Sequence, residues 1–159
     1  MEDTAALLGA VLAVMNPSMF EAGMNCMTRI ANNPEKISKR EHLAELLEVW
    51  TSPLTASSLM NNRNSPLHRD TGGGNAYMDL LVSVGDYVNG RFNVPGLVGD
   101  LWYCPGTVIG LCGRVVRHGA SAVGERFCYA QYLRETVLRF WGVPDPDWVN
   151  IYDIVTASP

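Results

Sequence analysis

The sequence has no C-x-x-C pair, no basic leader ahead of an apolar stretch, no apolar run of membrane-spanning length, and no repeat or low-complexity tract. Each absence removes a class of protein. The four cysteines, Cys26, Cys104, Cys112 and Cys128, are too widely spread for a zinc knuckle or a thioredoxin-type redox motif. Without an export signal they read as reduced thiols rather than disulfides. The start, Met1-Glu2-Asp3, is acidic, and the apolar run from Ala5 to Met15 is broken by Gly9 and stops at Asn16-Pro17. That is short of the roughly 20 apolar residues a membrane span needs, so an intracellular protein with no membrane contact is expected. Charge is also scarce: a net −4 excludes a protein that coats nucleic acid by charge alone. It is unevenly spread, net −3 over residues 1–60, +2 over 61–139 and −3 over 140–159, so an anion is expected in the middle.

What is present is enough apolar material, 47% of 159 residues, for one self-folding domain and a monomer. Residues 1–50 read helical. A helix is expected over Ala5 to Met15, a second opened by a Ser18/Glu21 capping box and running to about Ile30, and a third opened by Ser38/Glu41. The third carries Leu43, Leu46, Leu47 and Trp50 as a core stripe. From Thr55 the pattern changes to short β-prone runs between Gly, Pro and Asn, the signature of an antiparallel barrel or jelly roll. Strands are expected near 55–62, 76–84, 97–103, 107–112, 114–118 and 126–133, with Pro105-Gly106 as a turn. A C-terminal helix from Glu135 to Trp141 and an irregular tail complete an α+β plan: helical buttress 1–50, β-core 55–134, helix and tail 135–159.

The most informative stretch is His68-Arg69-Asp70. In extended backbone alternate side chains share a face, so His-x-Asp can turn an imidazole and a carboxylate toward one ion. A third ligand must come from elsewhere, and His118 follows 48 residues after Asp70. Two His and one carboxylate form the facial triad of non-haem Fe(II) oxygenases, which leaves positions open for co-substrate and dioxygen. The remaining histidine, His42, falls in the helical part and is given no role. Arg126, eight residues after His118 across an expected turn from Gly119 to Gly124, is placed to receive the far carboxylate of a keto diacid chelating the metal. Its alternative is an ion pair with Glu125 or Glu135.

In order and spacing these residues, together with Asp79-Leu80-Leu81-Val82-Ser83-Val84-Gly85, Pro105-Gly106-Thr107-Val108, Arg114-Val115-Val116-Arg117-His118-Gly119 and Arg126-Phe127-Cys128-Tyr129, resemble the Tet/JBP 2-oxoglutarate dioxygenases. The likeness is to the fungal members found with mobile elements and runs from about Thr4 to Trp148. It implies a double-stranded β-helix, Fe(II), 2-oxoglutarate and O2, a nuclear location, and oxidation of the methyl group of 5-methylcytosine in DNA, or of N6-methyladenine. It also implies that Cys128 stands where a small polar residue helps hold 2-oxoglutarate, with Arg63 assisting. Tyr132 would stack on the flipped-out base; its alternative is a barrel-core tyrosine. Arg134 and Gly73 depart from the family, which often places a base-reading His and an Asp or Asn there, and Asn75 is the candidate for the vacant reading role.

Other readings remain open from the sequence. A 2-oxoglutarate dioxygenase acting on a protein or small molecule and an inactive DNA-binding copy each fit the chain. A zinc hydrolase would use the same three ligands but needs a general base that the sequence does not offer. Gly72-Gly73-Gly74 lacks the Lys-Ser/Thr ending of a phosphate loop and reads as flexible backbone beside the metal.

Overall fold

The computed structural model describes residues 2–97 and 99–148, and the rest of the expected tail lies outside them. The chain divides into two compact units, Met1–Thr55 with Leu133–Pro159, and Ala56–Tyr132.

The first unit is helical: α1 (Glu2–Met15), α2 (Pro17–Asn32), a single 3-10 turn (Pro34–Lys36), α3 (Arg40–Val49) and α4 (Glu135–Phe140). No described helix is long and apolar enough to cross a membrane. The capping boxes are a correction. Helix α2 is capped by Asn16, whose side-chain oxygen accepts the Met19 N–H at 2.9 Å, because Pro17 lacks an N–H and its fixed φ suits the first helical position. The Ser18 hydroxyl instead accepts the Asp147 N–H. Helix α3 begins after Lys39 with no side-chain cap, one residue too late for Ser38. Met19, Ala22, Gly23, Cys26 and Ile30 bury one face of α2. A Cβ on Gly23 would fall 2.4 Å from the Pro53 carbonyl oxygen, so only glycine permits that approach. Arg29 extends this packing by donating to the carbonyls of Trp141 and Gly142. The expected core stripe on α3 is a second correction: none of its residues is fully buried, Leu43, Leu47 and Trp50 are half-buried, and Leu46 is 46% exposed. Periodicity identifies an apolar face but not how closely it is covered.

The second unit is an antiparallel sheet of β1 (Ala56–Asn61), β2 (Ser65–His68), β3 (Asp79–Val94), β4 (Gly99–Trp102), β5 (Val108–Leu111) and β6 (His118–Tyr132). Its spine is the long β3–β6 ladder. Toward one end β1 pairs with residues 127–132 of β6 and β5 with 79–82 of β3; toward the other β2 pairs with the start of β6 and β4 with 91–94 of β3. Two strands thus each serve two four-stranded halves, β1-β6-β3-β5 and β2-β6-β3-β4. The bends fall where backbone is free to make them. Gly85 (φ 127°) lies opposite Arg126, Gly124 (φ 118°) lies opposite Tyr87, and a register shift follows Val88. A Cβ on Gly85 would sit 2.2 Å from the Glu125 carbonyl oxygen. Phe92, Val94, Tyr103 and Leu111 form the interior, with Leu81, Ile109, Val116 and Ala120 against them.

Strands expected near 55–62, 97–103 and 107–112 lie where β1, β4 and β5 do. The others need correction. Segment 76–84 is only the beginning of β3. Segment 114–118 is a turn, in which the Val115 and Val116 N–H groups both donate to the Cys112 carbonyl. Residues 119–124 form no turn: His118 opens a single bent strand that carries Arg126 as well. A β-branched run such as Val115-Val116 has strand propensity, but the local carbonyl captures its donors.

Candidate metal centre

His68 ends β2 and His118 begins β6, and the antiparallel register pairs them directly, so their imidazoles leave the sheet on one face with ring centroids 4.4 Å apart. Asp70 stands two residues beyond His68, outside the strand, its N–H donating to the Gly113 carbonyl at 3.0 Å. One carboxylate oxygen lies 3.5 Å from His68 Nε2 and the other 3.5 Å from His118 Nε2. The three ligand atoms all fall within 4.8 Å of one another.

Each ring has its tautomer set by its surroundings. His68 Nδ1 lies 2.8 Å from the Pro66 carbonyl and His118 Nδ1 lies 3.0 Å from the Val116 carbonyl. A carbonyl only accepts, so each Nδ1 carries a hydrogen, which leaves Nε2 as the ring atom of each that faces Asp70 and could ligate a metal. His118 is buried and stacks on Phe92, with centroids 5.6 Å apart, while His68 and Asp70 are partly open. The centre therefore has one sealed wall and one accessible side. Gly113 makes room for it: a Cβ there would meet Asp70 Oδ2 at 2.3 Å and Asp79 Oδ2 at 2.7 Å. Asp79 is thus a second carboxylate at this end, and its charge adds to burial in pushing the Cys112 thiol up.

Arg126 lies farther along β6, with only 5% of its surface exposed. Its Nε donates to Ser83 Oγ at 2.9 Å, Nη1 donates to the Arg63 carbonyl at 3.1 Å, and its guanidinium lies 4.8 Å from the Tyr103 ring centroid. Asn62, at φ 48°, clamps the backbone: its side-chain oxygen accepts the Arg126 N–H and its own N–H donates to the Arg126 carbonyl. Among the described residues no carboxylate pairs with this guanidinium. Of the two partners open to it from the sequence, Glu135 is taken by Arg139 and Glu125 is exposed. A buried charge without a counter-charge costs several kcal/mol, a cost that a bound anion removes.

The remaining candidates fall into two groups. Cys128 is buried, with its sulfur 3.7 Å from the Tyr103 hydroxyl. The Arg63 side chain is exposed and reaches Met60, so this residue meets Arg126 through its carbonyl instead. Asn75 is exposed and accepts from Arg114 Nε at 3.0 Å, while Arg114 Nη1 donates to the Thr71 carbonyl, pinning the loop that holds Gly73. Tyr132 ends β6 with its hydroxyl 2.8 Å from Ser58 Oγ. Arg134 belongs to the helical unit, where its N–H donates to Thr55 Oγ1 at the start of α4. Sequence reasoning did not single out Ser83, Phe92, Tyr103 or Gly113, because apolar and small residues in strands and turns carry no chemical signature of their own.

Two imidazoles and a carboxylate brought within reach of one point are the donor set of a non-haem Fe(II) oxygenase centre. The comparison with protein families agrees: a model of the oxygenase domain of the 2OGFeDO superfamily, Tet_JBP, matches residues 1–135, and the chain belongs to this family. Among curated proteins none matches the chain. Membership implies Fe(II), 2-oxoglutarate and O2, and the His68–Asp70–His118 cluster fits the metal on donor type, convergence and tautomer.

Proposed function

We propose that the protein is an Fe(II)- and 2-oxoglutarate-dependent dioxygenase of the fungal, mobile-element branch of its family, with a double-stranded β-helix core, oxidising the methyl group of 5-methylcytosine in DNA, or of N6-methyladenine. The observation that carries the reading is the buried Arg126 with no acid partner, on the strand that also supplies the ligand His118. Two four-stranded halves sharing β3 and β6 are what a double-stranded β-helix requires.

In this reading His68, Asp70 and His118 hold the metal, Arg126 takes the far carboxylate of 2-oxoglutarate, and Cys128 lies beside it. Phe92, Val94, Tyr103 and Leu111 keep water from the interior. The bound metal, co-substrate and O2 supply oxidative decarboxylation: the methyl substrate, 2-oxoglutarate and O2 become the hydroxymethyl product, succinate and CO2. No side chain has to act as acid or base; the chain binds, orients and excludes water. Arg69, whose Nε donates to the Val115 carbonyl, lies with Arg114 and Arg117 on the exposed segments that flank the ligands. That basic rim supports an anionic polymer as substrate, with Tyr132 and Asn75 as base contacts, Arg134 two residues after Tyr132, and the nucleus as the place of action.

The test incubates the protein with Fe(II), 2-oxoglutarate and duplexes carrying either methylated base, then digests them and identifies nucleosides by mass. A hydroxymethyl product on one duplex, absent with His68→Ala, is expected. Succinate release without any change in either base would move the substrate to a protein or small molecule, and wild-type succinate release equal to that of His68→Ala would leave a non-catalytic copy.

A further inference from the structure

Tyr103 is fully buried, and its hydroxyl lies beside the Arg126 guanidinium, which can only donate to it, and 3.7 Å from Cys128 Sγ, a weak acceptor for its hydrogen. Its ring stands between the two ends of the site: edge-on to Phe92, which stacks on His118, and 4.8 Å beneath the Arg126 guanidinium on the other side. The ring is held from behind, since the Tyr103 N–H donates to the Gly90 carbonyl and its own carbonyl accepts the Tyr87 hydroxyl at 2.8 Å. That same Tyr87 hydroxyl lies 2.8 Å from Ser83 Oγ, whose own hydrogen it can accept, and Ser83 Oγ accepts from Arg126 Nε. A single network of Tyr87, Ser83, Arg126 and Tyr103 thus sets both the guanidinium and the phenol. Burial, first, and the neighbouring thiol push the Tyr103 phenol well above its ordinary range against the smaller opposing pull of Arg126, so the phenol keeps its hydrogen.

We propose that Tyr103 is a co-substrate-binding residue, its hydroxyl donating to the same far carboxylate that Arg126 receives, with Cys128 as the third wall. This rests on the reading of Arg126 given above. A sulfur is a weak acceptor and cannot satisfy a buried phenol as an oxygen does. A carboxylate entering between Arg126 and Cys128 gives the phenol a charged acceptor and the guanidinium its missing counter-charge together.

The experiment compares 2-oxoglutarate with 2-oxopentanoate, the same keto acid carrying a methyl group in place of the far carboxylate, for binding to the Co(II)-loaded protein by calorimetry. Wild type is expected to prefer 2-oxoglutarate. Tyr103→Phe keeps the ring and removes the hydroxyl; it should weaken 2-oxoglutarate roughly ten-fold, as for one hydrogen bond to a charged group, and leave 2-oxopentanoate unchanged. Unchanged affinity for both acids, or equal loss of both, overturns the inference while leaving the reading of Arg126 intact. A wild type that does not discriminate overturns that reading as well. If Tyr103→Phe does not hold Co(II), wild-type protein labelled at the tyrosine ζ carbons decides. Of its six tyrosines one resonance should move with 2-oxoglutarate and stay with 2-oxopentanoate, and six unmoved resonances overturn the proposal.

Discussion

The two ends of the site are built on opposite principles. At the metal end three ligating groups converge, and two of them, His68 and Asp70, stay partly open. At the other end a single cation, Arg126, is sealed against the face of the Tyr103 ring and held from the backbone by Asn62. The metal end draws its order from sheet register, which places His68 opposite His118. The Arg126 end draws its order from burial and side-chain hydrogen bonds. A metal ion needs exchangeable positions and access, whereas a carboxylate anchor gains from exclusion of water, because a charged pair strengthens as the local dielectric falls.

Separate losses at the two ends would sharpen this contrast, and common losses would break it. The largest effect is expected from His118→Ala, which should lower both Co(II) binding and succinate release by about a hundred-fold or more, since groups merely supporting a ligand are already worth about 10–100-fold. Retained metal affinity would remove His118 from the centre. Next, Arg126→Leu should weaken 2-oxoglutarate by roughly a hundred-fold with Co(II) affinity intact. Because the wild type buries an uncompensated charge, its melting temperature should stay within about 5 °C or rise. A sharp drop in melting temperature would make Arg126 a structural group instead. Gly113→Ala should act at the metal end alone, lowering Co(II) affinity roughly ten-fold as its methyl displaces the Asp70 carboxylate, with the preference for 2-oxoglutarate over 2-oxopentanoate preserved. The smallest change is expected from Asn16→Ala, which should cost about 1 kcal/mol in thermal unfolding and leave both ends alone. Ser18→Ala should cost less; the reverse order would reinstate Ser18 as the cap.

Much of the plan was legible from residues alone. Alternating apolar runs between Gly and Pro located β1, β4 and β5, and Pro105-Gly106 marked its turn, where Thr107 donates to the Cys104 carbonyl. His-x-Asp with a distant His selected three groups that the fold brings together. The lengths of β3 and β6 were not legible, because glycines at Gly85 and Gly124 read locally as breaks although the ladder continues through them as bends. The helix caps were misread by one or two residues, since Ser-x-x-Glu spacing is blind to the fixed φ of Pro17.

From its residue order this protein determined which groups carry chemistry: two imidazoles, one carboxylate and one guanidinium, in a chain with enough apolar residues to bury the last of them. Tertiary structure alone decided that Asp70 would be steered by Gly113, that Arg126 would find no acid, and that a tyrosine without any motif would stand between the two ends. Those outcomes depend on cross-strand register and on the direction of bends, which are properties of paired strands and are not written in any one segment.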